Sequence, residues 1–335
     1  LGLLLNAEKS ELIPTQDFTF VGMNFLTHFN KVRLSSKRIS DLVTHVRWVL
    51  QQSHLSAREF LSLNGTLSSA ADFVVLGRLF LRPMQNYLSE RWDCITGEYS
   101  TLVPILPCLF PHLLWWMNEE RLLEGVVLLP PTPSLQLITD ASLEGWGAHL
   151  EPLGLTVSGL WSPLEAQLHI NNLEMRAVKL AISHFSRQVQ THCLMLSTDN
   201  TTVVSYIRKQ GGTHSFSLYL ETRDLLLLCR ELHVTLQAKH IPGRLNVLAD
   251  GLSRKNQILP SEWSLNQEVV NLIFLVLRKP MVDLFATRHN HRLPMYVSPV
   301  YDPAAWAIDA LSFDWDHLEA YAFPPPILIP QILNK

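Results

Sequence analysis

Four carboxylates stand out by their setting: Asp140, Glu174, Asp199 and Asp250. Asp140 closes the apolar run Leu135-Gln-Leu-Ile-Thr, and Asp199 closes Leu194-Met-Leu-Ser-Thr. Both runs end in Thr-Asp. Glu174 reads as the first turn of a helix, and Asp250 lies near the start of another. A lone Asp after a strand is ordinarily a turn or cap residue, and a lone helical Glu is ordinarily solvated. Four acids on four separate elements can instead converge on one edge of a sheet. Their hard oxygens suit Mg²⁺. Two such ions roughly 4 Å apart can activate a water and stabilise a leaving oxygen, which is what phosphodiester hydrolysis requires. His240, ten residues before Asp250 on the loop after the last strand, adds a group that changes protonation near neutral pH. Glu165 rivals Glu174, but it precedes the Asn171-Asn172 turn and is less well placed.

The elements that must position these residues are legible. Strands are expected at Leu135–Thr139, Ala148–Leu150, Leu155–Trp161, Cys193–Ser197 and Val234–Lys239, with Ala141–Gly147 as a turn. Helices are expected at Leu173–Phe185, Thr201–Lys209, Ser217–Glu231 and Val247–Arg254. The order β-β-β-α-β-α-α-β-α argues for an α/β (α+β) domain, a mixed sheet covered by helices. The run Leu129-Pro-Pro-Thr-Pro-Ser134 reads as a linker before it. Upstream, Phe18–Met23 and Lys31–Leu34 look like strands. Apolar residues at Ile39, Leu42, Val43, Val46 and Leu50 give one helix face, and Ser56 caps a further helical stretch to Val75. Downstream, Leu265–Arg278 looks helical before a Pro-rich end. The domains are expected at 1–130, 135–254 and 255–335.

Composition bounds the answer without deciding it. The chain has 335 residues, 47% of them hydrophobic, which suffices for more than one packed domain. The formal net charge of -3 gives no support for nucleic-acid binding, although acidic metal ligands lower it. The four cysteines are far apart, which disfavours zinc and disulfide frameworks and fits a reducing interior, cytoplasm or nucleus. No apolar run reaches a membrane span. The opening on Leu1 suggests a piece of a larger protein.

The central motifs are similar to those of type 1 ribonuclease H, specifically the domain in retroelement polyproteins of the gypsy and DIRS types. They are Ile138-Thr-Asp-Ala-Ser142 with Gly145-Trp-Gly-Ala148, Ile170-Asn-Asn-Leu-Glu174, Ser197-Thr-Asp-Asn200, and His240-Ile-Pro-Gly-Arg-Leu-Asn-Val-Leu-Ala-Asp-Gly-Leu-Ser-Arg254. The resemblance implies a ribonuclease H-like five-stranded mixed sheet. It implies two Mg²⁺ ions, with Mn²⁺ as a substitute, on Asp140, Glu174, Asp199 and Asp250. It gives His240 a part in moving a proton or releasing product. The implied substrate is an RNA–DNA hybrid, cut in its RNA strand. Such a hybrid is read through backbone and 2′-OH, for which Ser142, Asn171, Asn172, Asn200 and Thr201 are candidates. Arg208 and Lys209 can hold phosphate, and no basic extension separates the middle helices.

The flanks extend the resemblance. Leu5–Ser10 and Phe18–Met23 look like the palm end of a reverse transcriptase, with Phe20, Val21, Gly22 and Met23 as a primer-grip-like hairpin before thumb and connection. The paired polymerase aspartates belong upstream, so this chain alone is not expected to polymerise; the upstream polymerase region of the same polyprotein is an expected partner. Val282-Asp-Leu-Phe-Ala-Thr287, Asn290, Leu293-Pro294, Asp309–Leu311, Asp314-Trp315 and Phe323–Pro326 resemble a small α/β adenine methyltransferase module. Phe323 and Pro326 replace its polar and aromatic positions, so a remnant without methyl transfer is expected. The alternative for the whole chain is a catalytically silent nucleic-acid-binding or assembly module, a retroelement relic.

Overall fold

The computed structural model describes residues 13–254, 264–288, 290–325 and 328–335. The palm-end-like segment Leu5–Ser10 and the position of Pro326 lie outside these. The chain divides into two compact units, Leu1–Pro131 with Lys209–Phe216, and Thr132–Arg208 with Ser217–Lys335.

The first unit opens on a meander of β1 (Asp17–Phe20), β2 (Met23–Leu26) and β3 (Lys31–Leu34), joined later by β6 (Val126–Val127). The strand-like run Phe18–Met23 is shared between β1 and β2, because Val21 and Gly22 turn the chain with φ of +50° and +76°. Two residues with positive φ suit a tight hairpin, but a β-branched residue is strained there. Val21→Asn keeps the turn and relieves the strain. We expect it to raise stability by about 1 kcal/mol in a thermal melt. Helix α1 (Ser36–Leu50) buries Ile39, Leu42, Val43, Val46 and Val49, an i, i+3, i+4, i+7 stripe. A short β4 (His54–Ser56) leads to α2 (Ala57–Ala71). Ser56 caps α2 as expected, and Glu59 completes a capping box by accepting from the Ser56 N–H at 2.8 Å. Then come α3 (Gly77–Ser89), β5 (Leu102–Pro104, paired with β4), α4 (Phe110–Trp115) and α5 (Glu119–Glu124). Their apolar faces share one core centred on Phe60, Leu63, Leu67, Met84, Leu113 and Trp116.

The second unit is built on β7 (Leu135–Ala141), β8 (Gly145–Glu151), β9 (Leu155–Leu160), β10 (Cys193–Thr198) and β11 (Thr235–His240). The sheet order is β11-β10-β7-β8-β9. Hairpins make β7, β8 and β9 antiparallel, whereas β10 runs parallel to β7 and β11 parallel to β10. Parallel neighbours need long crossovers. These are α6 (Ile170–His184) with α7 (Ser186–Val189), and α8 (Thr201–Arg208) with α9 (Phe216–Glu231). A last helix, α10 (Val247–Ser253), packs on β7 and β8. The arrangement is the expected ribonuclease H-like mixed sheet. Its core joins Leu137, Leu173, Val178, Leu194, Leu196, Val203 and Leu225.

Several boundaries near the acids differ from the sequence reading. The turn after Asp140 is only Ser142–Glu144, and β8 starts at Gly145 rather than Ala148. Gly145 and Gly147 read as turn residues, but here they are strand residues where another backbone comes close. Helix α6 starts at Ile170 rather than Leu173, capped by His169, whose Nδ1 accepts from the Asn171 N–H at 3.2 Å. His240 is the last residue of β11, not part of the following loop.

Gly147 carries a prediction. A Cβ added there would lie 2.2 Å from Leu252 Cβ, with the Ala249 carbonyl 2.8 Å away. Gly147→Ala must push α10 off the sheet, and overpacking of this kind costs about 1–3 kcal/mol. We expect urea unfolding to show that loss, with α10 amides exchanging fastest.

Residues beyond 264 form α11 (Gln267–Leu277) and four two- to four-residue strands, β12 (Val282–Asp283), β13 (Met295–Ser298), β14 (Ala307–Ile308) and β15 (Ala320–Tyr321). All pairings are parallel, in the order β14-β13-β12-β15. A small core of Val282, Leu284, Val297 and Ala310 holds them, and Val300 packs against the core of the larger sheet. A final α12 (Ile329–Leu333) closes the chain. Among the described residues no helix is long and apolar enough to cross a membrane.

Candidate metal centre

The register of the sheet brings the first two acids together. Ser197 on β10 pairs with Ile138 on β7 in parallel. Two residues further along, Asp140, still paired within β7, and Asp199, just past β10, stand at the same end of neighbouring strands. Glu174 joins them from α6. It lies on the buried stripe of that helix, with Leu173, Ala177, Val178, Ala181 and Ile182. An acid on an otherwise apolar stripe is costly unless it has a task. Ligand oxygens of Asp140, Glu174 and Asp199 all lie within 4.8 Å of one another.

The cluster is starved of compensation. Asp140 and Glu174 are buried, and Asp199 is half-buried. Burial raises the Asp140 carboxyl to about 6, opposed by the Ser253 hydrogen bond and reinforced by the charges of Asp199 and Asp250. Burial raises Glu174 to about 9, reinforced by Asp140 and Asp199 and opposed by a backbone bond from Ala141. Glu174 Oε2 is buried with no hydrogen-bond partner. An orphaned oxygen on an acid clustered with two further carboxylates fits a divalent cation, because hard oxygen donors of this kind suit Mg²⁺.

Asp250 stands apart from the three. Its Oδ1 accepts from Arg254 Nε at 3.1 Å and Nη2 at 2.5 Å, across one turn of α10 and its end. Its charge is still felt at Asp140. His240 is exposed at the end of β11, with Thr198, the residue before Asp199, as its Cα partner. Glu165 is engaged elsewhere: it accepts from Ser162 Oγ at 2.7 Å and pairs with Arg176 at 3.2 Å.

Of the candidate substrate residues, several spend polar atoms within the protein. Asn200 caps α8 by accepting from the N–H groups of Thr202 and Val203, and its amide donates to Asn171 Oδ1 at 2.9 Å. Ser142 Oγ donates to the Ser253 carbonyl at 2.7 Å. Asn172 is buried, and Thr201 is exposed at the start of α8. The hairpin residues Phe20, Val21, Gly22 and Met23 belong to the first unit, where Phe20 and Val21 are exposed and Met23 is buried.

Residues not anticipated from the sequence hold Asp140. Ser253 Oγ donates to its Oδ2 at 2.7 Å, and Asn246 Nδ2 donates to its Oδ1 at 3.2 Å and to the Thr139 carbonyl at 3.1 Å. Both are buried. Gly243 leaves room beside Asp199, since an added Cβ would sit 2.9 Å from its Oδ2.

Sheet order, crossovers and three convergent acids define a ribonuclease H-like domain with a candidate metal site. No family model matches the sequence. The chain is 25% identical over 281 residues to the enzymatic polyprotein of Carnation etched ring virus, the match covering 75% of this chain and 36% of that polyprotein. The chain thus spans about a third of the relative's length. Among solved structures it is similar to the foamy viral protease-reverse transcriptase in complex with double-stranded DNA, with 13% identity, 67% of this chain and 38% of that one covered, and a TM-score of 0.29. Ribonuclease H1 from Halobacterium salinarum has 14% identity, covers 35% of this chain and 91% of its own, and has a TM-score of 0.30. LC11 ribonuclease H1 in complex with an RNA/DNA hybrid has 16% identity, covers 36% and 93%, and has a TM-score of 0.30. The polyprotein relative and the motifs quoted above are consistent with a retroelement reverse transcriptase and ribonuclease H region.

Proposed function

We propose that residues 135–254 form a divalent-cation-dependent endonuclease that cleaves the RNA strand of an RNA–DNA hybrid, within a retroelement polyprotein that also carries an upstream polymerase region. The observation that carries this reading is the convergence of Asp140, Glu174 and Asp199 from three separate elements, with one buried oxygen unsatisfied. With Asp250 they are the residues to hold two Mg²⁺ ions. Bound there, the ions supply Lewis acidity for an attacking water and for a leaving oxygen. Ser253 and Asn246 hold Asp140 in one orientation. His240, the last residue of β11, is proposed to exchange a proton with product or water. The Asn171–Asn200 pair, Asn172, Thr201 and Ser142 are proposed to contact the backbone and 2′-OH groups of the hybrid. In the first unit, the exposed tip Phe20–Val21 is proposed as a primer-grip-like contact.

Arg254 tempers the fourth ligand. Its pairing with Asp250 is partly exposed, and such pairs are worth about 1 kcal/mol or less. Arg254→Ala is therefore expected to lower the Mg²⁺ concentration for half-maximal cleavage by at most ~5-fold. The reading itself is tested with labelled hybrid, duplex DNA, duplex RNA and single-stranded RNA, each with Mg²⁺ and with EDTA. Mg²⁺-dependent cutting confined to the RNA of the hybrid supports it. A shift of hybrid in a gel with no cutting at any Mg²⁺ concentration establishes a silent binding module instead.

A further inference from the structure

Helix α11 carries apolar residues on two sides. Its inner side is held by buried Val270 and by Phe274, whose ring meets Tyr321 edge-on at 5.6 Å. Its outer side shows Val269, Leu272, Leu275 and Val276, which are between 44% and 82% exposed. The spacing i, i+3, i+7 with Leu275 beside it makes one continuous stripe rather than scattered contacts. A contiguous apolar surface of this kind marks an interaction site.

Charge says what covers it. Glu268 stands in the first turn, and Arg278 and Lys279 follow the last residue. Laid antiparallel on an identical helix, the stripe sets Val269 against Val276 and Leu272 beside its own counterpart. Glu268 of each helix then faces the basic end of the other. A parallel arrangement would oppose like charges, and it would align rather than offset the helix macrodipoles. We propose that α11 is a self-association surface, on which a second copy of this chain docks by an isologous, antiparallel helix pair. The stripe is complementary to itself, as a two-fold interface requires. One helix, about 16 Å long at 1.5 Å per residue, covers less than the ~800 Å² per partner of a standard interface. The dimer is therefore weak and concentration-dependent.

The test is sedimentation equilibrium of the full chain from about 1 to 200 μM. Reversible dimerisation is expected. Leu272→Glu with Val276→Glu, at exposed positions, should weaken it at least tenfold with the far-UV circular dichroism unchanged. Glu268→Lys alone should also weaken it, and adding Arg278→Glu and Lys279→Glu should restore it; this charge exchange decides the matter if the double glutamate variant misfolds. A wild-type chain that stays monomeric throughout, as it would if a lipid surface or another segment of the chain covers the stripe, overturns the proposal. So does a dimer that either set of variants leaves intact.

Discussion

Asp199→Asn is expected to reduce cleavage of the RNA strand at least ~10³-fold, about 4 kcal/mol of lost transition-state stabilisation. The expectation rests on the cluster in which Asp199, Asp140 and Glu174 share one space. An amide keeps the shape of the side chain but removes the charge that a divalent cation needs. The same change relieves repulsion among neighbouring acids, so the melting temperature without metal should not fall. Hybrid binding in a gel shift should persist. This pairing of lost cutting with retained fold separates chemistry from stability. Equal cutting by both proteins would remove Asp199 from the site.

The second large effect concerns pH. In the metal-free protein Glu174 is raised to about 9 from its usual 4.5, first by burial and then by the charges of Asp140 and Asp199. The folded state thus holds this proton more tightly than the unfolded chain does. For an acid raised in this sense, the stabilisation is fully present below the unfolded value and is lost as pH climbs towards the folded one. Between pH 4.5 and pH 7, at ~1.4 kcal/mol per pH unit, the loss is about 3 kcal/mol. Asp140, raised to about 6, adds a smaller loss that is complete near that pH. Melts in EDTA should therefore show stability falling from pH 5 to pH 8. Glu174→Gln should flatten this slope and make the metal-free protein more stable at pH 8. Mg²⁺ should stabilise the wild type increasingly with pH, because ligands must lose protons to bind it, and should do so far less for the Gln variant. Parallel pH profiles for the two proteins would contradict the burial of an uncompensated acid at this position.

How much of this was legible before any coordinates follows from what each residue type can signal. The two Thr-Asp strand ends were readable because apolar alternation and a polar stop are local features. The sheet order then follows from chain order and crossover length, and it places Asp140 and Asp199 side by side. Gly145 and Gly147 misled, because glycine marks a turn and a close backbone approach alike; only the packing of Leu252 against the strand tells them apart. Asn171 and Asn172 looked like a turn because asparagine favours turns, whereas His169, a weak capping type, opened the helix three residues early. Ser253 and Asn246 were invisible as partners of Asp140. Their bonds span more than a hundred residues, and no local pattern encodes them. The strands beyond residue 280 are too short for any alternation to develop, so their parallel pairing could come only from tertiary contacts.

The account turns on cations seated among Asp140, Glu174 and Asp199, and diffraction from crystals of the chain soaked in Mn²⁺ addresses that directly. Anomalous peaks about 2.1 Å from carboxylate oxygens of all three residues are the predicted result. Saturating Mn²⁺ with no peak between them, in crystals of protein that cuts hybrid in solution, would contradict it.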